Sequence, residues 1–210
     1  MTPIETATLK ASAESAKGFL SKIFGPALDE VGLILQDNIK IRRLKNQLRN
    51  LEKVKKIVEK ENISIQKVNL KVLVPYLENV SLEEDEILQE LWANLFTNYI
   101  DKDKNLETTV YPSILSQVST LDIEILNLFS NKNGSINLGG PINVGEKSVD
   151  YTDLSNLLRL GLVEEILSYY STSSMNWNEE DERKSVTQDD NGDYRLTTFG
   201  TEFISACNRY

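Results

Sequence analysis

The chain has 210 residues, of which 40% are hydrophobic and 26% are charged, and its net charge is −9. This composition is ordinary for a folded protein and provides enough residues for one large domain or two small ones. The sequence has no histidine, a single cysteine (Cys207) and neither of the common glycine-rich phosphate-binding patterns. These absences exclude Ser-His-Asp triads, Cys-His pairs, intramolecular disulfides and nearly all zinc sites.

Two helices are predicted before residue 61. Residues 5–24 begin alanine-rich and end with a short apolar run, and Gly25-Pro26 interrupts them. A second, longer helix is predicted from about Ala27 to about Lys60, because apolar residues recur at helical spacing along it. Gly18, Gly25 and Gly32 are spaced by seven, which allows a close helix contact at Gly18 and Gly32, whereas Gly25 is better explained as a helix breaker.

The second predicted helix carries an unusual charge. Residues 36–60 hold nine Lys or Arg against three acids, a net of +6, so the rest of the chain carries −15. A basic helix on an acidic protein indicates a surface for contact with another molecule. The candidate interaction surface consists of Lys40, Arg42, Arg43, Lys45, Arg49, Lys53 and Lys56.

The central segment is predicted to be a helical core. Residues 69–79 form a short helix that is kinked or begins near Pro75, and Ser81 with Glu84 is interpreted as the capping box of the next helix. Leu88, Trp92 and their neighbours form the wide apolar face of that helix. Its acidic first turn is a natural electrostatic partner for the basic helix. Further helices are predicted from Pro112 to about Val118 and from Thr120 to about Phe129.

Two groups of carboxylates in this segment have the composition of a hard-cation site. Asp101 and Asp103 lie in a short polar run, for which a solvated turn is the simpler interpretation. The acids of the second group fill what is predicted to be a first helical turn, where they favour the helix dipole. That group consists of Glu83, Glu84, Asp85 and Glu86. We therefore predict no catalytic residue, no metal site and no cofactor.

The last eighty residues are predicted to contain the only strands. Residues 131–150 are rich in Asn and Gly and are interpreted as loop. A helix that ends at Gly161, a strand, a long acidic loop, a strand beginning at Tyr194 and a closing helix follow. The order helix, helix, strand, long loop, strand is typical of a winged helix. The acidic loop argues against DNA binding, because phosphates repel it. Its acids are Glu179, Glu180, Asp181, Glu182, Asp189, Asp190 and Asp193, against Arg183 and Lys184.

The fold predicted from these elements is mainly α-helical. Long N-terminal helices and a helical core precede a winged-helix-like C-terminal unit with a small β-hairpin. The predicted domains are an N-terminal arm with the basic helix (1–62), a helical core (63–130) and the winged-helix-like domain (131–210).

Four stretches together resemble the bacterial abortive infection alpha family. They are GFLSKIFGPALDEVG (18–32), KNQLRNLEKV (45–54), VPYLENVSLEEDEILQELWANLFTN (74–98) and YRLTTFGTEFISAC (194–207). The resemblance covers most of the chain and is most specific in the third stretch, whereas residues 131–150 and the acidic loop match poorly. It implies a role in defence against phage and supplies no catalytic residue.

Three functions are compatible with the sequence. The first is a non-enzymatic interaction protein that binds a protein partner or a second copy. The second is a peripheral effector that binds anionic membrane through residues 18–60. The third, disfavoured because no aromatic residue lies between Asp37 and Lys60, is nucleic-acid binding through residues 36–60. With no signal peptide and no apolar stretch of membrane-spanning length, we expect a cytoplasmic protein, peripheral at the inner membrane face in the second case.

Overall fold

The computed structural model describes residues 3–24, 38–104, 106–132, 134–138, 142–166, 168–173, 184–189 and 192–209. Within these ranges the chain forms eight helices and seven short strands. The helices are α1 (Pro3–Phe24), α2 (Asn38–Glu61), α3 (Leu70–Leu82), α4 (Glu86–Ile100), α5 (Tyr111–Leu115), α6 (Thr120–Asn131), α7 (Tyr151–Arg159) and α8 (Thr198–Cys207). The strands are β1 (Ser135–Asn137), β2 (Ile142–Val144), β3 (Lys147–Val149), β4 (Val163–Glu165), β5 (Ser168–Ser173), β6 (Lys184–Asp189) and β7 (Asp193–Leu196).

The chain divides into two compact units. Unit 1 comprises Met1–Thr120 together with Phe203–Tyr210, and unit 2 comprises Leu121–Glu202. The C-terminal residues therefore return to the first unit. The prediction of a mainly helical protein with a small sheet is confirmed. The three predicted domains, 1–62, 63–130 and 131–210, stay a prediction.

The core of unit 1 is formed by α2, α3 and α4, which pack on one another. The apolar face of α4 is buried as its spacing predicts, with Trp92 and Phe96 each only 1% exposed. Tyr76 of α3 stacks on Phe96 with ring centroids 4.0 Å apart and planes 6° apart. Offset-stacked aromatic pairs contribute about 0.5–1.5 kcal/mol beyond the burial of their area.

The N-terminal helix predictions are confirmed where the structure describes them. The first predicted helix, 5–24, corresponds to α1, and the end of the second near Lys60 corresponds to the end of α2 at Glu61. The predicted beginning of the second helix, residues 27–37, lies outside the described residues, as do Gly25 and Gly32. Gly18 makes no close helix contact, because a Cβ atom built there has no atom within 4 Å.

The prediction for the start of α4 is wrong. Ser81 lies in the last turn of α3, where its hydroxyl donates to the Glu78 carbonyl oxygen and accepts from Arg43. The N-cap of α4 is Asp85, whose side chain accepts from the backbone N–H groups of Ile87 and Leu88. Both Ser and Asp are good N-caps, and the sequence spacing Ser-x-x-Glu was the misleading feature.

Pro75 neither begins nor ends a helix. Helix α3 starts five residues earlier, at Leu70, with Asn69 as N-cap accepting from the backbone N–H of Lys71. A proline inside a helix deprives a carbonyl one turn earlier of its partner. The carbonyl of Pro75 itself accepts a side-chain hydrogen bond from Asn79 at 2.8 Å.

Unit 2 contains a three-stranded antiparallel sheet in the order β1-β7-β4 and two hairpins, β2-β3 and β5-β6. Two sequence predictions are corrected here. Residues 131–150 are not loop throughout, because β1, β2 and β3 lie within them. The long acidic loop contains β6, whose residues pair in register with β5 from Ser168↔Asp189 to Ser173↔Lys184. Short strands with few apolar residues carry a weak sequence signal.

Helix α7 is bounded as its sequence indicates. Asp150 and Asp153 form a capping box at its start, and Lys147 pairs with Asp153. The hydrogen bond from the Lys147 side chain lowers the pKa of the Asp153 carboxyl most, and the one from the backbone N–H of Asp150 lowers it further. Gly161 ends the turn after α7 with a φ of 69°, in the left-handed region that favours glycine. Strand β4 follows immediately.

Two glycines differ sharply in the space around them, and their substitution by alanine is a matched test. A Cβ at Gly200, in the first turn of α8, would lie 2.0 Å from the Leu162 carbonyl oxygen, which is backbone and cannot rotate away. We expect Gly200→Ala to lower the free energy of unfolding by about 1–3 kcal/mol. Gly18→Ala, in the open face of α1, should be neutral or raise it by up to about 1 kcal/mol. Urea denaturation of both variants measures this, and equal effects would contradict the close approach at Gly200.

Candidate interaction surface on helix α2

The cations of α2 fall into an exposed stripe and a flank that faces α3 and α4. Leu48, Leu51, Val54 and Val58 are buried, which fixes the orientation of the helix. Opposite them, four of the predicted surface residues are exposed: Arg42, Lys45, Arg49 and Lys56. Arg42 and Lys56 are fourteen positions apart, about 21 Å along the helix. Arg43 and Lys53 are half-buried on the flank, and the side chain of Lys40 lies outside the described residues.

Cations of both the stripe and the flank contact the acidic connection between α3 and α4. Arg42 lies 2.6 Å from a carboxylate oxygen of Glu84, and Arg49 lies 3.8 Å from one of Glu86. Lys53 bridges Glu86 and Glu90. The structure thus brings together the basic helix and the acidic turn that the sequence identified as electrostatic partners. The acids of that turn therefore have structural roles. Glu84 and Glu86 pair with cations of α2, and Asp85 caps α4.

The bridge from Lys53 affects the titration of its partner. Its hydrogen bond to Glu86 lowers the pKa of that carboxyl, and the nearby charge of Arg49 acts in the same direction. Folding stability gained in this way is present at neutral pH and is lost as the pH falls through the lowered pKa. Because Glu86 is largely exposed, solvent screens the interaction and the effect on stability is small.

Two further cations of α2 pair with acids of the same helix. Lys56 lies 3.5 Å from Glu52 and Lys55 lies 3.8 Å from Glu59, both at i,i+4 spacing. Lys45 has no ion-pair partner among the residues that the structure describes. Exposed pairs of this kind contribute about 0–1 kcal/mol, so a partner's carboxylates can displace them at little cost. The stripe therefore remains available for contact.

A buried polar cluster under α2 was missed in the sequence. Asn50 is fully buried, and its amide nitrogen donates to the backbone carbonyl oxygen of Gln89 at 2.7 Å and to its side-chain Oε1 at 2.6 Å. The Tyr76 hydroxyl donates to Asn50 Oδ1 at 2.6 Å. Burial raises the pKa of that hydroxyl, which stays protonated. The available signal was a lone Asn between Leu48 and Leu51 on the apolar side of α2.

A second cluster corrects the interpretation of Asp101. This carboxylate is not in a solvated turn, because Asp101 is only 6% exposed. Its Oδ2 lies 2.9 Å from Arg209, and its Oδ1 accepts from the backbone N–H of Asp103. Arg209 also pairs with Glu61 at 2.8 Å and donates to the Asn98 side chain. No local pattern predicts this cluster, because Arg209 is more than 100 residues from the partners it joins.

Among the residues that the structure describes, no group of three or more Cys, Asp or Glu is placed to hold a metal ion. A shallow groove of about 370 Å³ lies between α1 and α2, lined by small residues of α1 such as Ala11 and Ser15 and by Leu51 and Lys56 of α2. Cys207 is buried, and burial raises the pKa of its thiol. None of the described helices is long and apolar enough to cross a membrane.

These features define a mainly helical protein with a small antiparallel sheet, whose most prominent described surface is a basic helix partly paired with acids. The chain belongs to the abortive infection alpha family, since the model of that family matches residues 36–207. The match includes α2 and the strands of unit 2 and ends with α8. No curated protein matches the chain, and no solved structure does either.

Proposed function

We propose that this protein is a non-enzymatic interaction protein in bacterial defence against phage, and that it acts by contact with an acidic protein surface. Membership in the abortive infection alpha family suggests the role in defence. The observation that carries the mode of action is the exposed cationic stripe on α2. Arg42 and Lys56 keep 72% and 73% of their side chains exposed although each has an acidic neighbour.

The charge arrangement supports a protein partner over lipid or nucleic acid. Acids of the α3–α4 connection and of α2 itself lie among the cations, which lowers the field that a row of phosphates would meet. A folded protein partner can place a single carboxylate beside each cation of the stripe and avoid the acids that lie among them. Complementary charges of this kind mainly raise the association rate and select the partner. Membrane binding through residues 18–60 and nucleic-acid binding through 36–60 stay predictions from the sequence.

We propose further that unit 2 is a winged-helix-like module used for protein contact. The succession α6, β1, α7, β4, hairpin β5-β6 and β7 supports this, with β1 and β4 both paired to β7. The hairpin β2-β3 lies between β1 and α7. The acids between residues 179 and 193 favour a basic protein surface over DNA as its partner.

A charge-reversal experiment tests the role of the stripe. Bacteria that express the protein are challenged with a phage panel, and plaquing efficiency is compared for the wild type and the triple variant Arg42→Glu, Lys45→Glu, Lys56→Glu. We expect the wild type to protect and the triple variant to lose protection, because carboxylates of the partner would meet like charges. The matched control reverses three exposed cations elsewhere in unit 1, Lys67, Lys102 and Lys104.

The outcomes separate the alternatives. Full protection by the triple variant would remove the stripe from the mechanism, and a wild type that protects against no phage would contradict the role in defence. Flotation of the wild type with anionic liposomes at low salt, lost in the triple variant, would favour the membrane. A salt-sensitive gel shift with the same pattern would favour nucleic acid.

A further inference from the structure

Helix α3 has an exposed face that the described residues of its own unit leave uncovered. Its core face is buried through Val72, Leu73, Tyr76 and Leu77. The opposite face is apolar for a surface: Leu70, Val74 and Leu82 are 47%, 42% and 66% exposed. These three residues are spaced by four and eight, so they lie along one inclined row. Leu70 and Val74 are neighbours one turn apart, and adjoining exposed aliphatic side chains are typical of contact surfaces.

Two charges of opposite sign lie on the same face, Glu78 within this row and Lys71 beside it. Lys71 stands near the beginning of α3 and Glu78 two turns later, with Val74 between them, and both are exposed. Neither has an ion-pair partner among the described residues. Lys71 and Glu78 are seven positions apart, or about two turns, so both project from one side of the helix, about 10 Å apart. The order of groups along the face is therefore cation, apolar side chain, anion.

We propose that this face of α3 binds the same face of a second copy of the chain, with the two helices antiparallel about a two-fold axis. In that arrangement Lys71 of each copy lies opposite Glu78 of the other, and Val74 packs beside Pro75 at the axis. A parallel arrangement would place Lys71 against Lys71 and Glu78 against Glu78. The charges thus select both the occupant and its direction, because a two-fold interface must be complementary to itself.

The length of α3 sets the strength of this dimer. Thirteen residues make about 20 Å of helix, so the pair buries less than the roughly 1,200–2,000 Å² of a standard stable interface. We expect reversible dimerisation with a dissociation constant on the order of tens of micromolar, weakened by salt. Self-association through α3 does not depend on the proposed role in defence, and its face is separate from the cationic stripe of α2.

Sedimentation equilibrium of the purified full chain over a range of concentrations tests the proposal. Lys71→Glu and Glu78→Lys should each weaken dimerisation by about tenfold or more, because each replaces two attractive contacts by two repulsive ones. An equal mixture of the two variants should dimerise like the wild type, since the carboxylate introduced at position 71 of one chain then meets the ammonium group introduced at position 78 of the other. The chain that carries both substitutions should dimerise as well. Lys102→Glu, away from α3, is the control.

The mixture also distinguishes a lost contact from a lost fold. Restoration in the mixture excludes unfolding as the cause of the single-variant defects, because unfolded chains would not recover a dimer. A wild type that is monomeric at concentrations on the order of several hundred micromolar, well above the expected dissociation constant, would overturn the proposal. So would single variants that dimerise unchanged, or a mixture no better than either variant alone.

Discussion

Replacing Arg209 by alanine is expected to lower the free energy of unfolding by about 3–5 kcal/mol, one of the two largest effects that we expect of a single substitution in this protein. The Arg209 side chain is 8% exposed and that of its partner Asp101 is 9% exposed. Removing the guanidinium leaves a buried carboxylate without its counter-charge, and it also removes the donor to Asn98. Chemical denaturation followed by circular dichroism measures the change.

Two further variants show whether the loss comes from the buried pair. The exposed pair of Arg42 with Glu84 provides the control, and Arg42→Ala should cost less than about 1 kcal/mol. Adding Asp101→Asn to Arg209→Ala should recover part of the loss, because the orphaned charge is gone. A cost for Arg209→Ala as small as that of Arg42→Ala would show that the pair is solvated in solution.

The second large loss of folding stability is expected when Asn50 is replaced by alanine. Asn50→Ala removes the acceptor of the Tyr76 hydroxyl and the donor to Gln89, so two buried residues lose a partner. At about 1–3 kcal/mol for each of these two residues, the free energy of unfolding should fall by about 2–6 kcal/mol. The same denaturation experiment detects it.

Asn46 is the matched control for Asn50, since it lies one turn earlier on α2. It is half-buried and makes one side-chain hydrogen bond that the structure records, to the Ser81 carbonyl oxygen at 3.1 Å. Asn46→Ala should cost about 1 kcal/mol. Equal costs at the two positions would mean that the hydrogen bonds of Asn50 are not formed in solution. Tyr76→Phe should have an intermediate effect, because it leaves only Asn50 Oδ1 unpaired.

The sequence predicts most of the helices of unit 1 because their signal is local. The apolar face of α4 repeats every three to four residues, and burial of Trp92 follows from that spacing. The α2 cations and the acids before α4 attract one another, so their contact could also be predicted. The helix boundary near residue 83 could not, because Ser81 and Asp85 are both good caps and only packing decides between them.

The missed features depend on contacts between distant residues. Asp101 and Arg209 are 108 positions apart, and nothing in the local sequence distinguishes a buried ion pair from two surface charges. Asn50 looks like an interruption of an apolar stripe until Tyr76 and Gln89 are placed beside it. The strands β1, β2 and β3 are three residues long each, and their pairing is decided by partners in the fold.

The return of residues 203–209 to unit 1 has a consequence for how the protein is made. The ribosome synthesises Asp101 and Asn98 long before Arg209 and Ala206, whose guanidinium and carbonyl complete their hydrogen bonds. At about 5–20 residues per second, the 108 intervening steps take roughly 5–22 s. During that interval the Asp101 carboxylate lacks the cation that pairs with it in the folded protein. The residues of unit 2 are synthesised in the same interval, between the two parts of unit 1. We therefore expect unit 1 to reach its full stability only after residues 203–209 have been synthesised.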